Sequence, residues 1–173
     1  MVSNYYKSDF ARFSKCNIFS SHALRFLWIL RKRQAKDNIF LKLLYKHMLK
    51  KYGLEISPAA CIGEGLYLGH AFNITVNPSA KIGKNCNLHK GVTIGQENRG
   101  KRKGAPCIGN QVWIGVNSTV VGGVEIGDDV LIAPNSYVNQ DIPSHSVVFG
   151  NPCVVKHRDQ ATKGYINSVY SDK

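Results

Sequence analysis

Six histidines, five cysteines and one dense run of cations are the residues with most chemistry to offer in this chain of 173 residues. An imidazole titrates near neutrality, so it suits removal of a proton from a hydroxyl. His22 and His47 fall in segments with helical periodicity, where a surface or packing role is expected. His145 and His157 fall near the C-terminus, where solvation is the simpler reading. That leaves His70, in "GHAF", and His89, in "NLHKG". The run "RGKRKG" sets Arg99, Lys101, Arg102 and Lys103 among glycines. Such a run either grips phosphate groups or is a solvated stretch of charge, and both readings stay open. Cys16, Cys61, Cys86, Cys107 and Cys153 are odd in number and contain no CxxC pair, so neither a disulfide framework nor a zinc knuckle is indicated. A reducing compartment fits.

A repeat must position these groups. Aliphatic residues recur every six positions, first at Ile56, Ile62, Leu68 and Ile74 and then, after a slip of two, at Val76, Ile82, Leu88 and Ile94. Beyond the basic run the series resumes at Ile108, Ile114, Val120, Ile126, Ile132 and Val138. Glycine often follows, and two residues earlier stands a second inward candidate such as Ala60, Ala80, Cys86, Val92, Ser118 or Ser136. An amphipathic helix would need a period near 3.6 and a simple strand a period of 2. Period six predicts three short flat faces per turn, an 18-residue triangular coil with its aliphatics inside. Leu68 and Leu88 then occupy equivalent positions one coil apart. His89 should lie beneath Gly69, and His70 above Lys90, at the ~4.8 Å spacing of neighbouring strands. Cys86, Cys61 and Cys107 read as packing residues rather than nucleophiles.

From Ile94 to Ile108 the chain spends one hexad and eight further residues, so the basic run is an excursion from a coil that continues in phase. Such insertions cost little stability and often carry function. The chain divides into a basic helical segment, 1–52, a mainly β coil, 53–155, with the inserted loop 96–107, and a tail, 156–173. Formal net charge is +12, and residues 1–52 hold twelve Lys/Arg against Asp9 and Asp37. Within them "SSHALRFLWILRKRQ" and "NIFLKLLYKHMLKKYG" read as amphipathic helices, with Ser20 or Ser21 and Asn38 as N-caps and Gly53 as a stop. Their apolar faces suit packing on the coil or on a second subunit. Phe26, Trp28 and Leu30 beside Arg31, Lys32 and Arg33 also suit an anionic membrane surface. Nucleic acid is not expected, because no binding motif is present and the coil is nearly neutral. No apolar run reaches the ~18–20 residues of a membrane span, and the first ten residues lack a signal-peptide core. A cytoplasmic protein, at most lying against the inner face of the membrane, is the expectation.

The stretch "GLYLGHAFNITVNPSAKIGKNCNLHKGVTIG", the Gly-rich loop, "IGNQVWIGVNSTVVGGVEIGDDVLIAPNSYV" and the closing "DIPSHSVVFGNP" resemble the hexapeptide-repeat acyltransferases. Within that family they are similar to the branch of serine acetyltransferases and capsule or sugar O-acetyltransferases. The resemblance implies a left-handed parallel β-helix after an N-terminal helical segment, a homotrimer, and acetyl-CoA bound between neighbouring coils without a metal. It makes His70 the general base and matches Glu55 to an acidic position of the serine enzymes, where it could orient an imidazole or bind the acceptor; His89, from its place beside that corner, is a helper, an acceptor contact or a bystander. For acetyl-CoA it implies the small residues Gly115, Ser118 and Ala133 along the pantetheine arm; the corner at Gly95 is a further candidate contact, and on the first of the two readings above Arg99, Lys101, Arg102 and Lys103 would meet its phosphate groups. Backbone N–H groups near Gly91 or Gly95 are candidates to steady an oxyanion.

The serine enzymes carry "DHA" at the histidine and end the loop in Arg-His before Pro. Here Gly69 precedes His70, and Gly104 and Ala105 precede Pro106. The groups expected to hold an amino acid's charged ends are therefore missing in part, Glu55 alone matching an acidic position of the serine enzymes. The expected activity is transfer of acetyl from acetyl-CoA to a hydroxyl, on a sugar of a surface polysaccharide. Serine O-acetylation is the alternative. A non-catalytic coil scaffold is an alternative of another kind, and a metal enzyme of this fold would need three converging histidines where only two come close.

Overall fold

The structure is a computed structural model and describes residues 2–13 and 16–171. Three helices precede the coil: α1, Val2–Ala11, α2, His22–Ala35, and α3, Ile39–Tyr52. The Ser21 hydroxyl accepts from Leu24 N at 3.3 Å and the Asn38 side chain from Leu41 N at 2.9 Å, so both expected N-caps form. Gly53, at φ 65°, closes α3 in the left-handed conformation that glycine adopts without penalty. The sequence pattern did not announce α1, which lacks both a cap signal and a clear apolar stripe. Tertiary bonds hold it instead. Asp9 forms a buried ion pair with Arg31 at 2.8 Å, and Arg31 also donates to the carbonyls of Ile62 and Gly63 at 2.8 and 2.6 Å.

Beyond Gly53 the chain winds through three parallel sheets. Sheet A contains β1, Leu54–Ile56, β4, Ile74–Val76, β7, Thr93–Gly95, β10, Thr119–Val121, and β13, Tyr137–Val138. Sheet B contains β2, Cys61–Ile62, β5, Lys81–Ile82, β8, Cys107–Ile108, and β11, Glu125–Ile126. Sheet C contains β3, Tyr67–Gly69, β6, Asn87–His89, β9, Trp113–Ile114, β12, Val130–Ile132, β14, Ser146–Phe149, and β15, Val154–His157. β15 turns back antiparallel on β14 and ends the parallel run. All the aliphatics of the six-residue series are buried, and so are Ala60, Ala80, Cys86, Val92, Ser118 and Ser136 two positions before them. Where coils meet at one corner, Gly63, Gly83, Gly109 and Gly127 form a column in which any added Cβ would strike the next backbone.

Register locates the slip of two. Leu68 pairs with Leu88, whereas Val76 pairs with Ile94, so the two extra residues lie between β3 and β4. They belong to the corner "GHAFN". His70 and Asn73 adopt φ of 49° and 53° there, and Ala71 is tucked into the core. The irregularity in the repeat is thus the element that carries His70.

Two expectations change. Cys61 and Cys107 are exposed, because residues next to inward aliphatics alternate outward along a strand. They flank Lys81 on the outer face of sheet B. Phe26, Leu30 and Arg31 are buried, so the face of α2 proposed for a membrane packs on the coil instead. Of the two roles expected for His22, packing is the one it takes, against Tyr52 and Phe72.

Candidate active site

His70 is exposed at the corner between sheets C and A and has no hydrogen-bond partner among the described residues. Its neighbours fix the turn around it. His22, at the first turn of α2, lies 2.9 Å through Nε2 from the Ala71 carbonyl. The His22 ring stacks on Tyr52 at 4.4 Å and meets Phe72 at 4.9 Å. The Phe72 carbonyl accepts from Gly91 N at 3.0 Å. That bond engages the Gly91 N–H, which is therefore not free to serve an oxyanion. An imidazole with an unoccupied nitrogen, on a corner clamped by the helical segment and by the coil below, is placed to exchange a proton with a bound hydroxyl.

His89 lies directly beneath Gly69, as the spacing required. A Cβ at residue 69 would run into the His89 ring, so the acid that the serine enzymes carry before their histidine has no room here while that ring stays. His89 faces sheet C. Its ring centroid is 4.6 Å from that of Trp113, and it lines a cavity of about 340 Å³ with Arg12, Tyr67, Asn87 and Tyr165. Nε2 of His89 is buried without a hydrogen-bond partner among the described residues. Burial first, and the nearby charge of His70 second, push its pKa down to about 4. His89 is therefore neutral near pH 7 and a poor proton acceptor, though close enough to His70 to feel its charge.

Glu55 lies elsewhere on the same flank. It stands in β1 opposite Thr75 and lines a groove of about 460 Å³ on the outer face of sheet A, with Tyr45, Ser57, Asn77 and Gly95. No hydrogen bond joins Glu55 to His70 among the described residues. Tyr45, Thr75 and Asn77 were not singled out in the sequence. Thr75 could have been found as the outward residue of the repeat, in the column Glu55, Thr75, Thr93, Thr119 and Tyr137 along sheet A.

The basic loop starts at the far edge of this groove. Asn77 donates to Gln96 at 3.1 Å, and Gln96 to Asn98 at 2.7 Å. Glu97 and Gly104 exchange two backbone bonds of 2.9 Å, closing the loop as a hairpin. Its return arm rests on the next coil, where Gly123 N donates to the Arg102 carbonyl at 2.8 Å. Arg99, Lys101, Arg102 and Lys103 are all exposed on this held backbone, and the first three line a cavity of about 470 Å³ with Glu97. Gly104 and Ala105 add no charge at its end.

The small residues proposed for the pantetheine arm do not all qualify. Ser118 is fully buried and its hydroxyl donates to the Ala133 carbonyl at 2.8 Å, so its side chain belongs to the coil interior. Gly115 is buried against Pro134. Ala133 is half-buried, and a Cβ at Gly95 would only touch the Val121 and Thr93 side chains at 3.7 and 3.8 Å. The Cys86 thiol is fully buried and pushed up to about 12, which makes it inert as a nucleophile.

The family described as bacterial transferase hexapeptide (six repeats) matches residues 108–140. Serine acetyltransferase 2 of Arabidopsis thaliana is 35% identical over 132 residues, which cover 76% of this chain and 41% of that protein. The serine acetyltransferase of Helicobacter pylori is 34% identical over 108 residues, covering 62% of this chain and 63% of that one. The chain thus spans less than two thirds of the length of these relatives. The Neisseria gonorrhoeae serine acetyltransferase in complex with serine superposes with a TM-score of 0.74 at 27% identity, covering 90% of this chain and 69% of that one. The fold is the expected left-handed parallel β-helix behind an N-terminal helical segment, and its six-residue repeats are similar to those of the serine acetyltransferases.

Proposed function

We propose that this hexapeptide-repeat protein is an acetyl-CoA-dependent O-acetyltransferase in which His70 is the general base. The observation that carries the reading is the two-residue expansion of the coil corner, which presents His70 with a free imidazole between sheets C and A. In the proposed step His70 takes the proton of the acceptor hydroxyl as its oxygen attacks the thioester carbonyl carbon. The tetrahedral intermediate then collapses, the carbon–sulfur bond breaks, and the CoA thiolate recovers a proton. No acyl-enzyme is invoked. The Cys86 thiol is buried, and Cys61 and Cys107 lie on sheet B, the face away from the His70 corner. The loop cations are assigned to the CoA phosphates, as charge-assisted contacts remote from the reacting carbon. A homotrimer, with each site completed by a neighbouring chain, belongs to the same proposal.

For the acceptor, the comparisons favour L-serine over the sugar expected from the sequence. One structural feature keeps the sugar as a second reading. The His89 ring fills the space of an acid at residue 69, and the loop ends in Gly104 and Ala105, so two charged contacts for an amino acid are missing. The test is CoA thiol release from acetyl-CoA by the purified protein, with L-serine and with sugar alcohols offered separately. Release dependent on L-serine supports the first reading, and release only with sugars moves the acceptor to the second. Release with neither, across an acceptor screen, contradicts the O-acetyltransferase proposal.

A further inference from the structure

We propose that the outward face of α3, together with Phe19, docks on an anionic lipid bilayer. Ile39, Phe40 and Leu43 are 71%, 63% and 58% exposed, and Phe19 is 88% exposed. At 100° per residue, Ile39, Leu43, Lys46 and Lys50 share the centre of the outward arc. Phe40, His47 and Lys51 flank it on one side and Lys42 on the other. The inward arc is spent on the core through Leu41 and Met48. α3 contains no acidic residue. Asp37, just before it, is already held by Arg33 at 2.9 Å and Lys42 at 3.7 Å.

The apolar character continues beside the helix. A groove of about 450 Å³ between α2 and α3 is lined by Trp28, Ile29, Leu44 and Met48, with Phe19 at its edge and Arg25 and Lys51 at its rim. The result is a protruding set of separate apolar side chains surrounded by long cationic stems, the pattern of a helix lying in a membrane interface. Among the described residues no helix is long and apolar enough to cross a membrane, so the contact is with the surface.

Charge decides between occupants. A second copy meeting this face through a two-fold axis would set Lys42, Lys46, Lys50 and Lys51 against their own equivalents. An anionic bilayer instead answers every cation and accepts apolar side chains without shape complementarity.

The test is sedimentation with vesicles of phosphatidylcholine alone and of phosphatidylcholine with phosphatidylglycerol. The protein should pellet with the anionic vesicles and not with the neutral ones, and should be released at high salt. Phe40→Ser with Leu43→Ser, and Lys46→Gln with Lys50→Gln, should each weaken the partition by about tenfold or more. All four positions are exposed, and circular dichroism verifies that each variant is folded. Equal binding to both vesicle types, or variants that bind as well as the wild type, would overturn the proposal. So would a drop in mass by light scattering in the Phe40→Ser, Leu43→Ser variant, which would assign the face to a second copy. Partition is read without turnover, so the outcome is independent of the acetyl-transfer reading.

Discussion

His70 and His89 are one strand spacing apart, yet their surroundings give them different chemistry. His70 is exposed, while His89 is set under the Gly69 backbone with one nitrogen buried and unpaired. The sequence identified both and placed them in adjacent coils, because Leu68 and Leu88 fix their register. The family resemblance singled out His70 as the base, but the repeat spacing alone could not rank the two, since burial depends on Trp113 and Tyr67, which reach His89 from other strands. The difference makes a stability prediction. The His89 pKa falls from 6.5 to about 4 on folding, so between those values the unfolded chain binds more protons. Folded stability should therefore decline as pH falls from about 6.5 toward 4. His89→Leu should flatten that slope in urea titrations taken across the window. An unchanged slope would show that another group is responsible.

At the scale of elements, the corner "GHAFN" and the basic loop are the two departures from an otherwise strict repeat; the first leads into sheet A at β4 and the second leaves it after β7. The repeat made the eight-residue insertion legible, and it located the slip of two only approximately. What it could not convey is how these excursions are held. His22 reaches Ala71 from a separate helix, and the Gly122–Gly123 pair receives the loop from the preceding coil. Neither contact has a local signature. If the loop cations bind CoA phosphates, replacing Arg99, Lys101, Arg102 and Lys103 by Ser should raise the KM for acetyl-CoA and weaken its salt dependence. Those contacts are screened over about 8–10 Å at physiological ionic strength. Turnover at saturating acetyl-CoA should change much less, because such contacts supply uniform binding. A shift confined to the KM of the acceptor would assign the loop to the acceptor instead.

For the whole molecule, the coil is a scaffold whose inward positions were readable because hydrophobic burial repeats every six residues. α1 was not readable, because its anchors, Asp9 to Arg31 and Arg12 to the Gly65 carbonyl, link residues far apart in sequence. The proposed trimer predicts three times the chain mass by light scattering at micromolar concentration, and a monomer would contradict it. The central claim, that the expanded corner exists to present a catalytic base, is tested most directly by the steady-state kinetics of His70→Ala. With the acceptor that supports CoA release, the account predicts that kcat falls by about 10²–10⁴ while affinity for acetyl-CoA is retained. Turnover near that of the wild type would contradict it.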